Sequence, residues 1–378
     1  MELLPVLISP GFDAGMLLSP LADALAGEGP AVAPHTDPSQ VFEGELPNDD
    51  IALVISTSGS TGTPKQTMLS TDALAASSMS TAMALQADGQ WLAALPVNYI
   101  AGVQVLVRSL YAGTQPVLMD MSVPFSAEGF TRAAEEMTDR NRFTSLVPTQ
   151  LHRLLQDPSP ATLRVLRRFN AILLGGAPAG APLLERARGY GLNVVTTYGM
   201  SETCGGCVYN GVPLPGVDVI RDEGRLWIAG DVLADGYMGR PELTRDRFRF
   251  NSGRRWFRTD DTGTVDAEGR VHVSGRLDDV IVSGGIKVSA QAVADAVETV
   301  PGVDQAFVLG LDDPEWGSRV GAAVVGSVDP ELIRDAVRDR LGAAAVPKVV
   351  LLLEALPLLP NGKADRMTLL RLLAAAQH

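Results

Sequence analysis

At 378 residues and 46 % hydrophobic composition, the chain is long enough for two or three domains with a sizeable core. A formal net charge of −13 argues against a non-specific nucleic-acid or anionic-membrane surface, and no apolar run reaches membrane-spanning length. Glu2 stands where a signal peptide carries a basic residue, so the expected location is the cytoplasm.

Residues 1–50 carry modest apolar segments and a Pro/Asp-rich stretch without a legible motif. The apolar run 51–55 then reads as a buried strand, followed at once by Ser56-Thr-Ser-Gly-Ser-Thr-Gly-Thr-Pro-Lys65. Such a loop can wrap backbone N–H groups and hydroxyls around a polyphosphate, with Lys65 as counter-charge. It is not the ATPase P-loop, which needs four residues between its glycines and then Gly-Lys-Ser/Thr. A Ser/Gly linker is the ordinary alternative, but linkers do not usually join a buried strand to a lysine.

Strand-like runs at 91–95, 144–147, 171–174 and 193–197 alternate with helical segments such as 163–169 and 182–189. That alternation predicts an α/β fold with a mostly parallel sheet and flanking helices. From 224 to 273 the strands are short and turn-separated, as in a small antiparallel barrel or sheet. The last hundred residues predict a helix after Ser289, strands at 306–311 and 320–325, and a helix opened by Asp329-Pro330. A strand at 349–353 and a helix after Asp365 complete a compact α+β unit. The expected division is 1–277 and 278–378, with the junction at Gly275-Arg276-Leu277-Asp278-Asp279.

Several segments carry chemistry. Glu202 follows the 193–197 strand in a polar turn, well placed to hold a metal bound to phosphates. Gly175-Gly176-Ala177 ends another strand and permits close backbone approach to a flat ligand. Asp260-Asp261 reads alone as a solvated turn, and Lys363 in Pro-Asn-Gly-Lys alone as surface punctuation. Cys204 and Cys207, spaced C-x-x-C, lack a second ligand pair, and His35, His152, His272 and His378 are scattered, so buried thiols are expected. Arg108 is a lone cation in an apolar stretch, suited either to an internal ion pair or to a bound carboxylate.

In this order, from residue 56 to residue 366, the segments resemble the adenylate-forming superfamily of acyl-CoA synthetases, adenylation domains and luciferases. The resemblance implies ATP, Mg²⁺ and CoA as cofactor and co-substrates. It places Ser58, Gly59, Ser60, Thr61, Gly62 and Lys65 around the phosphates, with Thr61, Lys65 and Lys363 catalytic. It places Gly175, Gly176, Ala177, Thr197, Tyr198, Gly199, Met200, Ser201, Asp261 and Arg276 around AMP, with Tyr198 against adenine and Asp261 on the ribose hydroxyls. Glu202 becomes the Mg²⁺ ligand, Asp278 the hinge of a mobile C-terminal domain, and Gly284 and Gly285 the lining of the pantetheine path. Asp260 departs from the pattern, standing where glycine is usual, and has no assigned role.

For the acid, the segment 96–109 resembles the o-succinylbenzoate–CoA ligases of menaquinone biosynthesis, with Tyr99 where histidine is frequent. In that subfamily an arginine at the spacing of Arg108 binds the benzoate carboxylate while the succinyl carboxylate is adenylated; Ser145 lies in a second similar segment. The short region before the phosphate loop fits compact actinobacterial-type members. A CoA ligase for another aryl or dicarboxylic acid is the alternative, and a non-catalytic adenylate-binding relative a remoter one. Against the latter stands the intact set Lys65, Glu202, Asp261 and Lys363. The expected partners are small molecules, without nucleic acid or membrane insertion, and the sequence leaves a homodimer open.

Overall fold

The computed structural model describes residues 2–57, 64–251, 253–313, 316–359 and 362–376. The first expected strand is Ile51–Thr57, whose first five residues are buried. It lies third in a sheet ordered Leu3–Leu7, Ala31–His35, Ile51–Thr57, Lys65–Ser70 and Gly236–Tyr237. The first three strands are parallel and the last two antiparallel to their neighbours. Ile51–Thr57 and Lys65–Ser70 therefore form a hairpin, with Thr57 opposite Lys65, and the serine-rich segment joins its two strands. Residues 1–50, silent as motifs, supply one edge strand of this sheet and its inner neighbour.

The alternating region builds a seven-stranded sheet ordered Val212–Pro213, Gly205–Tyr209, Val194–Met200, Ala171–Leu174, Arg142–Leu146, Gln90–Ala93 and Val117–Leu118. The five strands from Val194–Met200 onward are parallel, and the other two join antiparallel. One face packs with the first sheet through Leu53, Leu69, Leu106 and Phe143; the other is covered by Phe130, Leu151, Leu154 and Leu166. The helix expected at 163–169 is Pro160–Leu166, because Ser159 accepts the Thr162 N–H at 3.0 Å and Pro160 opens the first turn. The helix expected at 182–189 is Ala181–Gly189.

Between barrel and sheet, the region after 217 takes the sheet. Asp218–Asp222, Arg225–Ala229, Arg254–Arg258 and Phe248–Asn251 form an open antiparallel layer, and Asp261–Val265 pairs with Val271–Arg276 in a separate hairpin.

The last part follows its expected order. Ala290–Glu298 is capped by Ser289, Pro330–Leu341 by Asp329 and Arg366–Ala375 by Asp365. Its sheet runs Ile286–Ser289, Val280–Ser283, Gly317–Gly326 and Val303–Asp313, with Val349–Leu353 parallel to Gly317–Gly326. Neighbouring residues of one strand point to opposite faces. Val308 accordingly joins Val293, Val297 and Ile333, while Leu309 joins Leu369 and Leu373. Both clusters draw only on residues from Ile281 onward, so this unit has a core of its own. No helix among the described residues is long and apolar enough to cross a membrane.

Candidate active site

The carboxyl ends of the parallel strands Arg142–Leu146, Ala171–Leu174 and Val194–Met200 lie along one sheet edge, the usual place for a ligand crevice in such sheets. The first runs through Val147 into the helix Pro148–Leu155, the second is followed by the glycine-rich Gly175-Gly176-Ala177 and the third by the polar Ser201-Glu202-Thr203. Thr197 on the last strand donates its hydroxyl to the Leu174 carbonyl at 3.3 Å, beside Gly175. A Cβ on Gly199 would lie 2.0 Å from the Gly205 carbonyl oxygen, so only glycine lets the chain fold back at this point. The Thr203 hydroxyl, 3.0 Å from the Met200 nitrogen and 2.7 Å from the Gly205 oxygen, holds the one-turn helix Ser201–Thr203 that carries Glu202.

Glu202 is buried, and its Oε1 accepts a hydrogen bond from the Tyr237 hydroxyl at 2.8 Å. Burial and this carboxylate push the Tyr237 phenol far above its ordinary range. The Lys65 Nζ lies 5.6 Å from the centroid of the same ring. Tyr237 thus joins the far end of the phosphate loop to the expected metal ligand. Sequence reasoning missed it, since nothing local marks a tyrosine whose partner is 35 residues away. Ser58, Gly59, Ser60, Thr61 and Gly62 lie outside the described residues.

The described residues contain no cluster of three or more His, Cys, Asp or Glu able to hold a metal by themselves. A single buried carboxylate fits Mg²⁺ instead, which is commonly bound by one or two carboxylates together with substrate phosphates.

Asp261 is the second organising carboxylate. It is buried; Oδ2 accepts from the Tyr198 hydroxyl at 2.7 Å, and Oδ1 lies 3.7 Å from Arg276 Nη1. Burial raises its pKa, while Tyr198 and Arg276 oppose the shift. Arg276 in turn grips Asp278 with two bonds, Nε to Oδ1 at 2.8 Å and Nη2 to Oδ2 at 3.1 Å. The expected ribose residue and the expected hinge residue therefore share one guanidinium.

Asp260 is no solvated turn residue. Its Oδ1 accepts from Arg225 Nη1 at 2.6 Å and Arg247 Nη1 at 2.7 Å, and its carbonyl accepts the Leu277 N–H at 2.9 Å. Burial works to raise its pKa, but the two arginines outweigh it and hold the carboxyl below the ordinary range. The residue that replaces the usual glycine is a tie between the antiparallel sheet, the Pro241–Arg247 helix and the junction.

Lys363 arrives from the C-terminal part. The Gly362 N–H donates to the Leu359 carbonyl and the Leu359 N–H to the Lys363 carbonyl, both at 2.8 Å. The Thr149 hydroxyl donates to the Gly362 carbonyl at 2.9 Å. A Cβ on Gly362, whose φ is +77°, would sit 2.7 Å from a Val147 methyl, so glycine is required for this approach. The Lys363 Cε then comes within 3.6 Å of the position a Cβ would take on Gly176. Burial, reinforced by the charge of Arg276, lowers the Lys363 pKa.

On the acid side, Tyr99 N-caps the helix Ile100–Tyr111 through its backbone, and Ser145 is buried on the Arg142–Leu146 strand. Arg108 is 6 % exposed and stands over the Trp91 ring, 5.1 Å from its centroid. Its Nε has no hydrogen-bond partner, and no carboxylate among the described residues pairs with it. One turn earlier, Gln104 donates to the Cys204 carbonyl at 2.5 Å and to Ser77 at 3.2 Å. Cys204 and Cys207 are fully buried free thiols, as expected, with pKa values pushed up by burial. Gly284 and Gly285 sit on an exposed turn with φ of +58° and +81°; the nearest side chain to Gly284 is Trp316, not the nucleotide residues.

A model described as AMP-binding enzyme matches residues 18–238, and one described as AMP-binding enzyme C-terminal domain matches residues 292–363. The chain belongs to the AMP-binding enzyme family. Among its relatives is a probable 2-succinylbenzoate–CoA ligase of Mycobacterium tuberculosis, 41 % identical over 374 residues that cover 96 % of each chain. Among solved structures of the family, o-succinylbenzoate CoA synthetase (MenE) from Bacillus subtilis, in complex with the acyl-adenylate OSB-AMP, superposes with a TM-score of 0.71. It is 26 % identical, over 93 % of this chain and 80 % of that one. The amide bond synthetase McbA from Marinactinospora thermotolerans gives a TM-score of 0.74 at 28 % identity, over 91 % and 76 %.

Two variants test this geometry. Asp260→Ala leaves Arg225 and Arg247 facing each other and lowers unfolding free energy by about 2 kcal/mol, read from denaturant midpoints. Because the folded pKa of Asp260 is depressed, that difference persists at neutral pH and closes only as pH falls through the folded value, below the ordinary carboxylate range. Arg108→Met removes a buried charge that no carboxylate among the described residues pairs with, and raises stability by about 1–3 kcal/mol in the ligand-free protein, again by denaturant titration.

Proposed function

We propose that the protein is an ATP-dependent ligase that adenylates o-succinylbenzoate and transfers the acyl group to CoA, releasing AMP and pyrophosphate. The observation that carries the choice of acid is Arg108. Burying a guanidinium without a counter-charge costs on the order of several kcal/mol, which a carboxylate of the substrate would offset. Arg108 is 6 % exposed, its Nε has no hydrogen-bond partner, and no carboxylate among the described residues pairs with it. A fatty acid spends its one carboxylate in the reaction. A dicarboxylic acid keeps a second one for Arg108, with Trp91 beside it to pack on an aryl ring. The relative in Mycobacterium tuberculosis, named for 2-succinylbenzoate and matched over 96 % of both chains, supports the same reading.

A carboxylate is a poor electrophile, so it is first joined to a good leaving group. One carboxylate oxygen of the succinyl arm attacks the α-phosphorus, and the bond to pyrophosphate breaks. Lys363, delivered to the Gly176 edge, bridges the attacking oxygen and the α-phosphate and stabilises charge as it builds. Lys65, with Ser58, Gly59, Ser60, Thr61 and Gly62, holds the outgoing phosphates. Glu202 would hold the Mg²⁺ that accompanies them, which when bound neutralises phosphate charge. Asp261 accepts from the ribose hydroxyls, and the Tyr198 ring packs on adenine.

The units 1–277 and 278–378 then reorient about Asp278, which brings the Gly284–Gly285 turn to the CoA path. The thiol attacks the acyl carbon, the thioester bond forms, and the bond to AMP breaks. The reading places the enzyme in the cytoplasm, where ATP and CoA are supplied.

Mass spectrometry after incubation with ATP, Mg²⁺, CoA and a panel of acids tests the assignment. Selective o-succinylbenzoyl-CoA is expected; turnover of fatty acids or simple benzoates in preference overturns the acid. Lys363→Ala is expected to slow adenylation about 100-fold or more while sparing thioester formation from supplied adenylate. Equal loss in both half-reactions contradicts that role. Since the lysine pKa is lowered and its charged form is needed, the alkaline limb of kcat/KM for adenylation falls below pH about 10.4, where an exposed lysine titrates.

A further inference from the structure

The C-terminal part rests on the Ala181–Gly189 helix by a contact that none of the nucleotide residues makes. Gly180 is the N-cap of that helix and supplies no side-chain cap. The place its Cβ would occupy lies 1.9 Å from Glu298 Oε2, so the carboxyl fills the seat that the glycine leaves empty. Glu298 ends the Ala290–Glu298 helix, and its other oxygen accepts the Ala306 N–H at 3.1 Å. One oxygen is thus anchored within its own unit while the other fills the space beside Gly180, at the start of a helix from the other unit. Burial, with Asp295 adding to it, pushes the carboxyl up to about 7 against the pull of that N–H. The neighbouring ion pair, Arg186 with Asp304 at 3.6 Å, is 38 % and 42 % exposed and so contributes little.

We propose that Glu298 is a positioning residue for adenylation: seated on Gly180, it selects the docked orientation in which Lys363 reaches the Gly176 edge. The proposal rests on the reading of Lys363 as the adenylation lysine. Glu298 touches no reacting atom and acts only by shifting the population of the docked form, so its effect is bounded by the difference it makes between the two orientations. It must also be modest, since a seat too deep would hold Lys363 in place when the thiol step needs it gone.

The test compares Glu298→Ala, Glu298→Gln, Gly180→Leu and Lys363→Ala with the unaltered enzyme. Three readouts are used: acid-dependent ATP–pyrophosphate exchange, thioester formation from supplied acyl-adenylate, and amide hydrogen exchange of residues 180–189 and 290–298. Glu298→Ala empties the seat and Gly180→Leu fills it. Both are expected to lower pyrophosphate exchange about fivefold to tenfold, to speed amide exchange at both helices, and to leave thioester formation nearly unchanged. Glu298→Gln, which keeps the shape, stays near the unaltered enzyme. Loss of adenylation in Lys363→Ala but not in Glu298→Ala and Gly180→Leu, or equal loss in both half-reactions, overturns the docking role alone. Retention of adenylation by Lys363→Ala overturns the lysine reading and this proposal with it.

Discussion

A carboxylate can attack a phosphate only if two anions are brought together, and this chain must do so with a net charge of −13. In the proposed function the repulsion is met locally, by cations drawn from four separate segments. Lys65 stands at the start of a strand in the first sheet, Arg108 on a helix against the second, Arg276 at the junction and Lys363 on a turn of the C-terminal part. None of these elements could gather them alone. The parallel strands supply a common edge, and the closure of Gly362 on Val147 brings the last cation to it.

The carboxylates are handled differently from the cations. Glu202, Asp261, Asp260 and Asp278 are each held by hydrogen bonds to a tyrosine or an arginine. Such ties keep an acid fixed in orientation before the nucleotide arrives, so less ordering is left to be done on binding. Arg108 shows the reverse: it is buried, its Nε has no hydrogen-bond partner, and no carboxylate among the described residues pairs with it. Glu298 on Gly180 belongs to a third class, since it organises the approach of one unit to the other rather than the ligand itself.

Signals held in a few contiguous residues were legible: the caps Ser289, Asp329 and Asp365 marked helix starts correctly, and the 51–55 run marked a buried strand. Asp261 and Lys363 drew their expected roles from the resemblance, since their own turns read alone as solvated surface. The Pro160 start was missed because the apolar residues Leu163, Val165 and Leu166 outweighed the Ser-Pro signal before them. Contacts between distant residues were not legible at all. Tyr237 on Glu202, the two arginines on Asp260 and Glu298 on Gly180 depend on how sheets and units stack, and no local pattern encodes that. The antiparallel pairing of Lys65–Ser70 with Ile51–Thr57 escaped for the same reason.

In the proposed function, Arg108 receives the second carboxylate of the substrate. Isothermal titration of the unaltered enzyme and Arg108→Met, each with o-succinylbenzoate and with 4-oxo-4-phenylbutanoate, tests it as a double-mutant cycle. A coupling of about 2–5 kcal/mol between the guanidinium and the ring carboxylate is expected, with the two proteins binding the shorter acid alike. A coupling near zero, or equal loss of both acids in Arg108→Met, would contradict it.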